Sequence, residues 1–254
     1  GAFMTWGWRI PFLLSAVMVI VGLYVRFRLE ETPVFKKAVE SGKKVKTPLA
    51  EVFRTSWKPL ILGTFIMVSC YTLFYLVTTW VLSYGIAKKG VGLGIPYLDF
   101  LKLQLISIFA FIVSIPVAGR LADSRGRKRT LIAVSAVMIA FGFTFSWLLR
   151  PDTATEGTVL VFLTVGMFIM GLIFGPMSAV LPELFPTNVR YTGSGISYNV
   201  ASILGAAIAP FVATALVKSY GVGAVGIYLI VVSILSLIAI LLMKETKHFD
   251  MSDI

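Results

Sequence analysis

Seven long apolar runs dominate the sequence, each separated from the next by a polar segment. A bilayer core about 30 Å thick is crossed by roughly 20 apolar residues in a helix, whereas strands of a membrane barrel alternate over about 10 residues. The pattern therefore predicts an all-α membrane protein, a polytopic bundle of about seven transmembrane helices. The runs lie at about 10–28, 58–86, 97–118, 131–149, 158–181, 193–217 and 222–243.

A polar, lysine-rich segment at 29–56 is the longest hydrophilic stretch and separates the first apolar run from the other six. It predicts a boundary between one membrane helix in residues 1–28 and a six-helix bundle at 57–243, followed by a tail at 244–254. One helix, a long loop and then six helices are expected if five earlier spans precede Gly1 in a longer protein.

Lysine and arginine are distributed unevenly along the chain. Of the 23 basic residues, 17 fall in alternate polar segments: nine at 26–58, five at 119–130, one at 182–191 and two after the last run. Because Lys-rich and Arg-rich loops stay on the cytoplasmic side, this bias predicts a cytoplasmic central loop and C-terminus. The net charge of +11 therefore indicates topology and not a nucleic-acid partner. The lysines of the linker would contact anionic lipid or simply be solvated.

The residues that carry most enzyme chemistry are scarce. The single cysteine, Cys70, lies within an apolar run and is expected to pack there, and the single histidine, His248, lies in the tail. Neither a disulfide nor a histidine-based metal site can therefore be assembled from this chain. The common nucleophile, zinc and phosphate-binding motifs are also missing. The sequence predicts no enzyme activity, no metal and no cofactor.

Small residues recur at every fourth position in the sixth apolar run. Two helix backbones can approach closely at such a stripe because no bulky side chain separates them. The fifth run carries a shorter version, Gly171, Gly175 and Ala179. Both stripes predict close packing, either permanent or at a surface that slides during a conformational change. The stripe of the sixth run comprises Gly193, Ser197, Ala201, Gly205, Ala209 and Ala213.

Polar side chains inside the apolar runs form a second group of candidates. Each is costly within a membrane unless it faces a cavity or finds a partner. We expect them either to line a cavity that holds an organic solute through hydrogen bonds or to bond helix backbones. Asp99 and Lys102 are expected to pair on one helix face, with an outer gate or a substrate contact as the alternative. The candidate cavity residues are Tyr71, Tyr75, Gln104, Ser107, Tyr198 and Asn199.

The segment GRLADSRGRKRT, residues 119–130, places five cations and one acid between two apolar runs. The lone Asp123 cannot neutralise five cations, so its role must be local, as the partner of a helix end or of one arginine. Glu183 and Arg190 lie in another short polar segment that the alternation of spans places on the same side. We expect either a local charge network there or a cluster that only fixes topology.

Several of these segments resemble the major facilitator superfamily. GRLADSRGRKRTL is similar to its cytoplasmic signature, although Ser124 replaces the usual basic residue after the acid. WGWRIPFLLS, EETPVFKK and PELFPTNVRYTGSGISYNVASILGAAIAP resemble the metabolite:proton symporter branch, whose members carry shikimate, 2-oxoglutarate, citrate or betaines. The signature positions in this chain are Gly119, Asp123, Gly126, Arg127 and Lys128.

The resemblance implies twelve spans in two six-helix halves joined by the longest inner loop. On that template the chain comprises the last helix of the N-terminal half, the central loop and the C-terminal six-helix half. The resemblance also implies proton-binding carboxylates mainly in the first half, outside this chain. It further implies an inner charge network that holds the outward-open state, formed by Asp123, Arg127, Glu183 and Arg190.

These observations together predict a secondary active transporter integral to the bacterial inner membrane. It would move a small organic metabolite, a carboxylate or a betaine-like molecule, by proton symport with alternating access. Its partners would be the solute, protons, membrane lipid and the N-terminal half. The alternatives are an uncoupled facilitator and a non-transporting receptor or assembly subunit built on a transporter half.

Overall fold

The computed structural model describes residues 2–28 and 48–246, which are almost entirely helical. A short helical turn at Ala2–Thr5 precedes the first long helix, and helix α2 spans Pro48–Thr55. Seven described helices are long and apolar enough to cross a membrane, which confirms the predicted polytopic bundle. They are α1 (Gly7–Arg28), α3 (Trp57–Ile86), α4 (Tyr97–Arg125), α5 (Arg127–Leu148), α6 (Glu156–Glu183), α7 (Arg190–Tyr220) and α8 (Val222–Leu242).

The chain divides into two compact units, residues 1–44 and 45–254. The first unit contains α1, and the second contains α2 to α8. The predicted loop at 29–56 lies partly outside the described residues. Its described part is mostly helical, because α2 occupies eight of its residues.

Helix ends in the second unit follow local sequence signals. Gly126 and Gly221 adopt φ angles of 100° and 79°, a backbone region that favours glycine, and they separate α4 from α5 and α7 from α8. At the start of α6, Thr155 Oγ1 accepts a hydrogen bond from the Thr158 amide at 3.2 Å, and Thr158 Oγ1 accepts one from the Thr155 amide at 2.9 Å. This reciprocal capping satisfies two amides that lie outside the helical ladder.

Aromatic rings fill the space between α3, α5 and α6. Phe145 and Phe162 are fully buried, with ring centroids 4.8 Å apart in an edge-to-face arrangement. Trp80 stacks on Tyr84 at 5.3 Å, and the Tyr84 hydroxyl donates to the Leu149 carbonyl at 3.1 Å. Lipid tails are as apolar as these side chains, so close packing holds the helices together here more than hydrophobicity does.

The short stripe of α6 lies against α4. Gly171 faces Ser114 and the Phe111 carbonyl so closely that a Cβ atom there would overlap them. A Cβ atom at Gly175 would lie 2.9 Å from the Ile115 carbonyl oxygen. These two glycines therefore allow the backbones of α4 and α6 to touch.

The longer stripe of α7 lies against α3. Ser197 Oγ donates to the Leu60 carbonyl at 3.1 Å, and a Cβ atom at Gly205 would lie 2.6 Å from the Val68 carbonyl oxygen. An every-fourth pattern drifts by about 40° per step around a straight α-helix. The π-helical turn at Ile203–Ala207 holds more residues per turn and offsets part of that drift. All six stripe residues are buried: Gly193, Ser197, Ala201, Gly205, Ala209 and Ala213.

Candidate functional site

Charged side chains from three parts of the second unit meet at one end of the bundle. Arg127 and Lys128 begin α5, Glu183 ends α6, and Glu245 follows α8. We call these four residues the charged end. The sharp turn at Gly126 brings the first turn of α5 into this position.

Glu245 caps the start of α5 from a distant part of the chain. Its Oε1 accepts a hydrogen bond from the Arg127 amide at 3.0 Å, and its Oε2 accepts one from the Lys128 amide at 3.2 Å. A carboxylate at a helix N-terminus is favoured both by the free amides and by the helix dipole. Gly126 also permits this approach, because a Cβ atom there would lie 2.8 Å from Glu245 Oε2.

Lys128 makes the complementary contact with the last helix. Its Nζ donates to the carbonyls of Leu241 and Met243, both at 2.7 Å. These carbonyls lie at the end of α8, where the helix leaves acceptors without partners and where the dipole favours a cation. The Glu245 carboxylate at the start of α5 and the Lys128 ammonium at the end of α8 thus join these two helices.

Arg127 forms an ion pair with Glu183, which joins the first residue of α5 to the last residue of α6. The Arg127 side chain is 18% exposed and the Glu183 side chain 5%. The Glu183 Oε2 atom is buried without a hydrogen-bond partner among the described residues. Each charge lies at the helix end whose dipole disfavours it, so their attraction to each other is what stabilises the two charges there.

The other two predicted charges, Asp123 and Arg190, and the signature glycine Gly119 have other surroundings. Asp123 is exposed on the last turn of α4 and forms no ion pair with a described residue. Arg190 Nε donates to the Phe185 carbonyl at 3.2 Å, which closes its own short loop. Gly119 has open space where a Cβ atom would lie. Of the four charges that the resemblance joins, the structure brings Arg127 and Glu183 together.

A groove between α3, α6 and α7 contains part of the predicted cavity. Tyr198 lines it, and the Tyr71 ring packs edge-on against the Tyr198 ring with centroids 5.3 Å apart. The groove has a volume of about 340 Å³ and combines the hydroxyls of Ser178 and Ser194 with apolar walls that include Met177. Its mixed surface suits a small organic molecule with a polar group.

The remaining cavity candidates do not line this groove, and three of the four bond to backbone. Gln104 Nε2 donates to the Thr78 carbonyl at 2.8 Å. Ser107 Oγ donates to the Gln104 carbonyl at 2.8 Å, and Asn199 Nδ2 donates to the Gly195 carbonyl at 2.8 Å. The Tyr75 ring packs against its neighbour Phe74 at 5.5 Å. For these four residues the structure therefore agrees with the backbone-bonding or packing alternative.

Gln104 bridges to a distorted part of α3. Residues Leu76–Trp80 form a π-helical turn, and Thr78 lies inside it. A π turn displaces the usual ladder of backbone hydrogen bonds, and the Gln104 amide supplies a donor to one of the affected carbonyls. This second π turn, like the one in α7, has no distinctive residue pattern in the sequence.

Asp99 and Lys102 lie one helical turn apart on α4. Lys102 Nζ and Asp99 Oδ1 are 2.7 Å apart, and both side chains are exposed. The pair on one helix face is the arrangement expected from the spacing, and an exposed pair of this kind contributes little to stability.

Sequence reasoning missed Glu245. It lies only two residues after the last apolar run, in a segment interpreted as a tail. Its one signal is that a carboxylate lies where α8 ends, although that helix end favours cations. Its partners are amides more than a hundred residues away, so local sequence could not identify them.

The fold and these contacts define a polytopic helical membrane protein with a partly buried ion pair at one end and a groove of mixed polarity between its helices. Comparison with known families gives the particular class. The chain belongs to the major facilitator superfamily, whose family model matches residues 1–203. This is a family of transporters and not of enzymes.

Relatives with assigned names support the predicted metabolite branch. The chain is 49% identical over 247 residues to the inner membrane metabolite transport protein YhjE of Escherichia coli (strain K12), which covers 97% of this chain and 56% of the relative. It is 30% identical over 257 residues to the glycine betaine/proline/ectoine/pipecolic acid transporter OusA of Dickeya dadantii (strain 3937), covering 97% and 50%. It is also 30% identical over 256 residues to the proline/betaine transporter of Salmonella typhimurium (strain LT2), with the same coverage.

The chain spans about half the length of the curated relatives that it matches. No solved structure matches it at a significant level. The comparisons confirm the superfamily and its branch of metabolite transporters, as the motifs predicted.

Proposed function

We propose that this chain is part of a secondary transporter that moves a small organic metabolite across the bacterial inner membrane by proton symport. The solute would be a carboxylate or a betaine-like molecule, the chemistry named for the relatives OusA and the Salmonella proline/betaine transporter. The observation that supports the proposal is the match of this chain to the major facilitator superfamily and, over 97% of its length, to relatives named as metabolite and betaine transporters.

In this proposal the chain supplies one helix of the N-terminal half, the central cytoplasmic loop and the six helices of the C-terminal half. The relatives are nearly twice as long as the segment that matches, which supports the presence of a further half in the intact protein. Alternating access would then be a rocking of the two halves about a solute site between them.

The two parts of the predicted charge network would have different roles in this motion. Arg127 and Glu183 both belong to the second unit, so rocking of that unit as a body does not separate them. Their role would be to fix the turn between α4 and α5 against α6. Asp123 is exposed on the same turn, so it is the member available to a surface outside the bundle. We propose that this contact of Asp123 forms and breaks during transport.

The groove at Tyr71 and Tyr198 is the proposed contribution of this half to the solute site. Hydroxyl groups of Ser178 and Ser194 now donate to the carbonyls of Gly175 and Arg190, and they would turn from these carbonyls to donate to a carboxylate. The faces of tyrosine rings would attract the quaternary ammonium of a betaine. Both ends of such a zwitterion thus find suitable groups within one groove of about 340 Å³.

Uptake of labelled proline, glycine betaine and dicarboxylates by cells that express the intact protein tests the proposal. Accumulation against a gradient that a protonophore abolishes is the expected result. Downhill uptake alone would indicate an uncoupled facilitator. Absence of uptake for all three solute classes, with the protein present in the membrane, would favour the receptor or assembly subunit.

The variant Asp123→Asn tests the proposed gate. We expect uptake to fall about tenfold, the effect of losing one charge-assisted contact, while the amount of protein in the membrane stays constant. Asp152→Asn is the matched control, because Asp152 is an exposed acid outside the charged end. Its Oδ2 atom lies 3.6 Å from Arg150 Nε. Equal uptake by wild type and Asp123→Asn would contradict the proposed gating role of Asp123.

A further inference from the structure

A second groove lies at the charged end, on the surface between α4, α5 and α6, and has a volume of about 1020 Å³. We call it the basic groove. Its wall includes Leu121, Arg125, Arg129, Ala133, Val137 and Leu172. None of these residues belongs to the proposed solute groove or to the Arg127–Glu183 ion pair.

The mouth of the basic groove carries uncompensated positive charge. Arg125 and Arg129 are exposed, and neither forms an ion pair with a described residue. Lys128 also lines the groove, but its ammonium is engaged by two carbonyls of the α8 end. The Glu245 carboxylate is engaged by backbone amides of α5. Two guanidinium groups are therefore left to bind an anion.

Another part of the wall of the same groove is apolar. Arg129, Ala133 and Val137 follow one another at intervals of four on α5, so they share one face of that helix. Val137 lies about 12 Å along the helix axis from Arg129. The Val137 side chain is about half exposed, and Leu172 of α6 also lines the groove. A cationic mouth that leads into an apolar wall along a membrane-spanning helix matches an amphiphile with an anionic head and a hydrocarbon tail.

We propose that the basic groove binds one anionic phospholipid. Its phosphate lies between Arg125 and Arg129, and an acyl chain lies along Ala133 and Val137. Basic pockets between membrane helices bind such headgroups because the guanidinium fork matches phosphate oxygens. The apolar wall of the groove then contacts the acyl chain in place of neighbouring lipids. A free phosphate compound would gain only the mouth, and a zwitterionic lipid would bring its own cation against the two arginines.

Native mass spectrometry of the intact protein in detergent micelles tests this proposal. The probes are palmitoyl-oleoyl phosphatidylglycerol, the phosphatidylcholine with the same chains, and glycerol 3-phosphate. We expect a single phosphatidylglycerol to bind in preference to the other two. The double variant Arg125→Gln with Arg129→Gln should weaken that binding about 30-fold. Arg120→Gln is the control for charge, because Arg120 is an exposed arginine of α4 outside the groove.

A second pair of variants tests the apolar wall without changing charge. Ala133→Phe fills the groove, whereas Ala136→Phe places the same ring on an exposed part of α5 outside it. We expect only Ala133→Phe to weaken phosphatidylglycerol binding. Both alanines are exposed, so neither change disturbs the packed core.

Three results would overturn the proposal. The first is equal binding of phosphatidylglycerol and phosphatidylcholine, and the second is an equal loss in the Arg120→Gln variant. The third is phosphatidylglycerol binding that appears only when residues 247–254 are removed. That segment contains Asp250 and Asp253, so the result would make this acidic segment the occupant of the basic groove.

Discussion

The ion pair between Arg127 and Glu183 provides a quantitative test of how the charged end is stabilised. The Glu183 side chain is 5% exposed and the Arg127 side chain 18%, so removing either one leaves a charge that water reaches poorly. Breaking a buried pair in this way costs about 3 to 5 kcal/mol. Arg127→Met should approach the upper value, because it strands the more buried charge at the C-terminal end of α6. Glu183→Met should approach the lower value, because Arg127 retains more contact with water.

The double variant Arg127→Met with Glu183→Met separates the pair from its surroundings. Replacing a buried ion pair by apolar side chains of similar size is often neutral. The free energy of unfolding of the double variant should therefore lie within about 1 kcal/mol of the wild-type value. The double variant should also be more stable than either single variant. The two changes should be strongly non-additive, since each single change mainly strands the other charge.

Reversible unfolding in mixed micelles of detergent and SDS, followed by circular dichroism, measures these free energies. Asp99→Asn is the control: it removes a pair in which Lys102 Nζ and Asp99 Oδ1 are 2.7 Å apart but both side chains are exposed. Its effect should be much smaller than that of Glu183→Met. Comparable losses in these two variants, or additive losses in the double variant, would refute the reasoning.

Three further predictions concern glycines and the cap of α5, all measured by the same unfolding assay. Gly126→Ala should cost about 1 to 3 kcal/mol because φ is 100° and the new Cβ atom would lie 2.8 Å from Glu245 Oε2; combining it with Glu245→Ala should cost less than the sum. Glu245→Gln should cost about 1 kcal/mol, because glutamine keeps one acceptor oxygen and turns a donor NH2 group toward the second backbone amide of α5. Gly205→Ala should cost about 1 to 3 kcal/mol because its Cβ atom would lie 2.6 Å from the Val68 carbonyl, whereas Gly195→Ala, with open space around it, should be neutral or stabilising.

The membrane helices could be predicted from the sequence because the bilayer imposes a length and a composition on each one. The seven apolar runs coincide with the seven helices, with ends that differ by up to several residues. The largest differences are at the end of α4, which continues to Arg125, and at the start of α5, which begins at Arg127. The charged residues 119–130 resemble a loop by composition, yet Gly126 alone makes the turn.

The site could be predicted only where the sequence carries its own signal. Small residues at every fourth position of α7 identified a face that packs on α3, and the resemblance placed Arg127 with Glu183. Bonds that depend on proximity between distant segments have no such signal. Gln104 reaches the Thr78 carbonyl only because a π turn in α3 presents it, and Glu245 reaches α5 only because α8 ends beside Gly126.

The same contacts distinguish two regions of the second unit. At the charged end, α5 is joined to α6 by an ion pair and to α8 by contacts of Glu245 and Lys128, so these three helices are fixed to one another there. Farther along, α3 and α7 each contain a π turn, at Leu76–Trp80 and Ile203–Ala207, and these two helices carry the tyrosine pair. Small residues of α7 such as Gly205 bring its backbone close to α3, and the rings of Tyr71 and Tyr198 pack between the same two helices. The proposed solute groove also includes Ser178 of α6, and Glu183 at the end of the same helix forms the ion pair with Arg127, so α6 connects the groove to the charged end.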